Sequence, residues 1–129
     1  MIKSSVPKPT AGELEILRVL WEQGPSTVRA VHDALSREKD VGYTTVLKLM
    51  QIMTAKGTLR RNQEQRAHVY EACQPEEKTK RALAGDVLQR VFQGSASQLM
   101  MHALEGRRTS REELDKLRHL LDNYERGLR

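Results

Sequence analysis

No carboxylate stands between Val41 and Gln63, although 30% of this chain is charged, and cysteine occurs once, as Cys73. A lone cysteine excludes an internal disulfide framework. With no apolar signal segment at the N-terminus, it points to a cytoplasmic protein. Apolar runs reach only about three residues, far short of the roughly 20 needed to span a bilayer, so stable membrane association is not expected. Metal-ligand spacing is missing too. His32, His68, His102 and His119 stand apart, with neither an HExxH pattern nor Cys-His spacing. Met100-Met101-His102 offers three soft ligands without a fourth, and Met50 and Met53 read as core filler. There is no glycine loop of the phosphate-binding kind, and Cys73 lacks a nearby histidine with a plausible orienting partner in sequence. Neither an enzyme nor a metal or cofactor site is expected.

What is present is a basic chain of 129 residues, with 22 Lys and Arg against 17 Asp and Glu and a formal charge of +5. That length fits one ordinary domain or two small modules, neither able to bury much core alone. The positive balance admits nucleic acid, an anionic membrane or an acidic protein as partner. Thr10-Ala-Gly-Glu13 is a capping box, followed by Leu14, Leu17 and Trp21 at helical spacing until Gly24-Pro25 breaks the pattern. Ser26 is the N-cap candidate for a second helix carrying Val28, Val31 and Leu35 on one side. A third helix runs from about Thr44 to Lys56, with Gly57 where a left-handed C-cap residue belongs. Thr58 to Asn62 and His68 to Ala72 read as two strands around a polar turn from Gln63 to Ala67. Three short helices and a hairpin form a winged-helix pattern.

The character changes at Gln74-Pro75. Pro75 suits a first helical position, and Glu76 and Glu77 complement the positive end of the helix dipole. Leu83, Val87, Leu88 and Val91 form an apolar stripe. Ser95-Ala-Ser-Gln98 is a second capping box, before a helix with Leu99, Met100, Ala103 and Leu104 on its apolar face. Thr109-Ser-Arg-Glu112 caps a last helix on which Leu114, Leu117, Leu121, Tyr124 and Leu128 follow the spacing of a helix seam. Three small helices, each apolar on one side, make a poor monomer and a good half of a dimer. The expected organisation is mainly α with a small β-hairpin wing: a winged helix-turn-helix domain over residues 1–73 and a helical dimerisation domain over 74–129. Leu88, Val91, Leu99, Leu104, Leu114, Leu117, Leu121 and Tyr124 are the expected dimer contacts.

At 100° per residue, Val46, Leu49, Met50 and Met53 fall on one side of the third helix, and Thr44, Lys48, Gln51 and Ala55 on the other, flanked by Leu47. Lys can reach guanine O6 and N7, Gln can pair with adenine N6 and N7, and Thr44 or Leu47 can meet a phosphate or a thymine methyl. A solvated polar face is commoner than a recognition face. An acid-free surface running on into Arg60, Arg61 and Arg66 favours a polyanion. The candidate DNA contacts are therefore Thr44, Thr45, Leu47, Lys48, Gln51, Arg60, Arg61 and Arg66.

GELEILRVLW (12–21), TTVLKLMQIMTAKGTLRR (44–61), RAHVY (66–70) and LQRVFQGSASQLMMHAL (88–104) together resemble the penicillinase-repressor family of the BlaI/MecI type, over about Thr10 to Leu121. The resemblance implies a dimeric winged-helix repressor of inverted-repeat operators, with interlocking C-terminal helices. It implies control of antibiotic-resistance or stress genes, and release by C-terminal cleavage through a membrane sensor metalloprotease. The cysteine motif of the family's copper-responsive branch is absent, and Gln65 stands where many relatives have glycine before the arginine. The Asn-Phe bond cut in the best-known repressors aligns with His102-Ala103. A small-ligand-sensing regulator and a winged-helix protein adaptor are the alternative functions.

Overall fold

The computed structural model describes residues 8–63 and 68–128. The described elements are α1 (Ala11–Gln23), α2 (Val28–Ser36), α3 (Tyr43–Lys56), β1 (Leu59–Asn62), β2 (Val69–Ala72), α4 (Glu76–Phe92), α5 (Ala96–Leu104) and α6 (Arg111–Gly127). By compactness the chain divides between Asp86 and Val87.

In the first unit, local chemistry sets the helix ends. The Thr10 hydroxyl accepts from the Glu13 amide and the Glu13 carboxylate from the Thr10 amide, completing the capping box of α1. At the end of α3, Gly57 takes φ 85°, the left-handed conformation that glycine adopts without a Cβ penalty. Its N–H donates to Thr54 and the N–H of Thr58 to Met53, a paired closure that satisfies two terminal carbonyls. Ser26, expected to cap α2, is diverted. It exchanges both backbone hydrogen bonds with Tyr70, at 2.9 and 2.8 Å, and Thr27 caps α2 by accepting from the Ala30 amide. A contact remote in sequence has claimed Ser26, and the cap falls to the next residue.

Ile16, Leu17 and Leu20 from α1, Val28 and Val31 from α2, and Val46, Met50 and Met53 from α3 form one buried cluster with Leu59 and Tyr70 of the hairpin. Burial of each such side chain stabilises by roughly 1.5–3 kcal/mol. The inward stripe of α1 is rotated from the expected one: Ile16 and Leu20 are buried with Leu17, while Leu14 and Trp21 are only half-buried. β1 and β2 are antiparallel, with Arg60 opposite Glu71 and Arg61 opposite Tyr70. Three helices followed by this hairpin make a winged helix.

The division at Asp86 lies beyond the expected boundary at 73/74. Trp21 donates its indole N–H to the Gln74 carbonyl at 3.0 Å, and Lys8 pairs with Asp86 at 2.8 Å. Thr79 is buried. The start of α4 is therefore held by the winged helix. In the second unit, Ser95 caps α5 by accepting from the Gln98 amide. The cap of α6 is Ser110, which accepts from Glu113, rather than Thr109. Thr109-x-x-Glu112 and Ser110-x-x-Glu113 satisfy the same pattern, so spacing alone could not separate them. Among the described residues of α5 and α6, none is buried.

Candidate nucleic-acid interface

The packing of α3 decides which of its residues face outward. With Val46, Met50 and Met53 fully enclosed, Thr44, Thr45, Lys48, Gln51 and Ala55 are exposed and Leu47 is half-buried. No ion pair involves Lys48 among the described residues, so its ammonium is available to an outside acceptor. The amide of Gln51 offers a donor and an acceptor from one side chain, as bidentate pairing with adenine requires. Ile52, 42% exposed, adds an apolar edge that composition had assigned no role.

The wing is less uniformly basic than its sequence reads. Arg61 is exposed and has no ion-pair partner among the described residues. Arg60, which the acid-free stretch presents as an available cation, faces Glu71 across the hairpin. Its Nε lies 3.4 Å from one carboxylate oxygen and its terminal nitrogen 3.4 Å from the other. The hydrogen bond to Glu71 and that carboxylate's charge raise the Arg60 pKa above its ordinary value. Arg60 is thus already paired, and its opposing acid comes from the other strand. Arg66 lies outside the described residues, as does Gln65.

Two side chains that sequence reading passed over join this surface. Tyr43 opens α3, and Arg29 of α2 stacks over its ring at 4.8 Å from the centroid. His32 meets the same ring edge-on at 5.8 Å and donates from Nε2 to the Val41 carbonyl at 2.8 Å, fixing the turn into α3. Arg29, Tyr43 and Leu47, with Thr27, Val28, His68 and Tyr70, line a groove of about 350 Å³ beside the start of α3. An aromatic at the first position of a basic helix was the available signal. Its pairing with Arg29 depends on how α2 and α3 pack.

The described residues contain no cluster of three His, Cys, Asp or Glu that could hold a metal. No described helix is long and apolar enough to cross a membrane. Arranged together are a helix with a polar, acid-free outer face, a wing arginine without an ion-pair partner among the described residues and an arginine stacked at the helix start. Such a surface can accept phosphates and present hydrogen-bonding side chains to base edges.

The other residues singled out in sequence lie in α4–α6. Leu88, Leu99, Leu104, Leu114 and Leu117 are half-buried, and Val91, Leu121 and Tyr124 are exposed. His102 and Ala103 are exposed on α5, with the His102 ring tilted against Phe92 at 5.6 Å between centroids.

Comparison with known proteins covers nearly the whole chain. The transcriptional regulator BlaI of Mycobacterium tuberculosis is 34% identical over 120 residues, covering 90% of this chain and 86% of that protein. The penicillinase repressor of Bacillus licheniformis is 24% identical over 119 residues, covering 92% and 93%. The methicillin resistance regulatory protein MecI of Staphylococcus aureus is 20% identical over 113 residues, covering 88% and 92%. The penicillinase repressor family model matches residues 9–123, and the chain belongs to that family.

Proposed function

We propose that this protein is a homodimeric transcriptional repressor that binds an inverted-repeat operator, with one α3 in the major groove of each half-site and the wing beside it on the backbone. The carrying observation is the outer face of α3, which is exposed, free of acids and mounted on an enclosed core. Membership of a repressor family supports a role in transcription rather than catalysis. Lys48 and Gln51 read bases, Thr44, Thr45 and Leu47 meet backbone or methyl groups, and Arg61 and Arg66 meet phosphates. Arg60 contributes less, because Glu71 already holds its charge.

Dimerisation falls to α4–α6. Leu121, Tyr124 and Leu128 are 66%, 70% and 86% exposed in the single chain, and a second copy offers the same seam in return. The half-sites then stand about 10 base pairs, or a multiple of that, apart. For release, a protease that requires a large aromatic after the cut bond loses its anchor at His102-Ala103. A pocket filled by a methyl forfeits several kcal/mol, so induction uses a differently tuned protease or another signal.

Selection of a duplex from a randomised inverted-repeat library, followed by gel-shift titration at several salt concentrations, tests the reading. Enrichment of a symmetric site and a steep loss of affinity with salt are expected. A protein adaptor or a ligand-gated module without DNA affinity would enrich nothing.

A further inference from the structure

Lys56 is the last residue of α3 and lies inside the acid-free stretch; its side chain is 40% exposed, yet its ammonium already has a partner within the fold. It donates to both carboxylate oxygens of Glu13, at 3.0 Å each. Glu13 is 3% exposed, and the same carboxylate accepts from the Thr10 amide to close the cap of α1. Two turns back along α3, Leu49 comes within 3.6 Å of where a Cβ on Gly12 would stand. The first turn of α1 thus touches α3 at two levels, and Glu13 is the polar half of that seam.

We propose that Glu13 is a positioning residue for base reading by α3, holding the C-terminal end of the helix through Lys56; this rests on the operator-binding reading above. Hydrogen bonds to base edges tolerate only a few tenths of an ångström before they weaken. Contacts to phosphates are long-ranged and forgiving. Removing Lys56 leaves the buried Glu13 carboxylate without its counter-charge, and either loss frees the helix end to shift. Loosening this strut therefore degrades discrimination between sequences while leaving general DNA affinity nearly intact.

The test uses the full-length protein, a duplex selected by the wild type and a scrambled duplex of equal length. Glu13→Gln keeps a capping-box side chain and removes its charge, whereas Lys56→Gln removes the partner. The two changes alter net charge in opposite directions, so electrostatics alone would move affinity for both duplexes up in one variant and down in the other. Positioning predicts that the ratio of selected to scrambled affinity falls about tenfold in both variants, comparable with losing one base contact. The double variant should be no worse than either single one. Lys56→Gln, altered at a partly exposed site, keeps the test decisive even where Glu13→Gln fails to fold. An unchanged ratio in Lys56→Gln overturns the proposal, as does equal loss on both duplexes with a salt slope lower by about one, which would make Lys56 a phosphate contact. Failure of the wild type to select any duplex overturns both this proposal and the operator reading.

Discussion

Ile16, Val31, Val46 and Met50 are fully enclosed in the first unit, whereas no described residue of α5 or α6 is buried in the second. Both regions carry well-capped amphipathic helices, so the difference does not lie in helix quality. α1 to α3 and the hairpin surround one another and close a core. The helices of the second unit leave Leu120, Leu121, Tyr124 and Leu128 half or more exposed. An apolar stripe in sequence reads equally as part of a domain's own interior or as half of a shared one. Only burial in the folded chain separates the two cases.

The largest expected effect lies at the seam of α6. Leu117→Asp or Leu121→Asp should convert the dimer to monomers in sedimentation, and operator affinity should fall by about 10²–10⁴-fold as the linked second half-site is lost. A dimer that survives both changes would place the interface elsewhere. In the enclosed unit, Met50→Ala should cost about 2–5 kcal/mol in denaturant unfolding, because its site cannot collapse freely. The same truncation at Met101, 57% exposed, should cost far less if that surface lies outside the shared interface.

Smaller effects separate the kinds of contact within the first unit. Gln51→Ala should lose roughly 1–3 kcal/mol on the selected duplex and relax preference at one base position. Equal loss on scrambled DNA would remove Gln51 from base reading. Arg61→Ala should weaken every duplex alike and reduce the salt slope by about one. Arg60→Ala should change that slope by less, since the Glu71 pairing has already neutralised its charge. A matching slope change in the two variants would show that the pair opens on DNA.

Much of the exposed face of α3 is legible in the sequence. The outward placement of Thr44, Lys48 and Gln51 follows from helical periodicity once Val46, Met50 and Met53 are assigned inward, because one repeat sets both faces. Arg29 and Tyr43 were not legible, since they belong to different helices and become neighbours only through the packing of α2 on α3. Arg60 shows the same limit with opposite sign. Its opposing carboxylate is absent from its own stretch and arrives through antiparallel register.

By itself the sequence determined where α1 and α3 are capped and which residues leave a surface without acids. Caps act over three or four positions, and an absence of carboxylates is visible without coordinates. Tertiary structure decided that Thr27 rather than Ser26 starts α2 and that Glu71 faces Arg60. It also decided that Lys56 serves the fold and that the first unit runs on to Asp86. The physical reason is range: the ties between Glu13 and Lys56 and between Trp21 and Gln74 span 43 and 53 positions, a separation that no local pattern of charge or hydropathy encodes and that only a closed core can bridge.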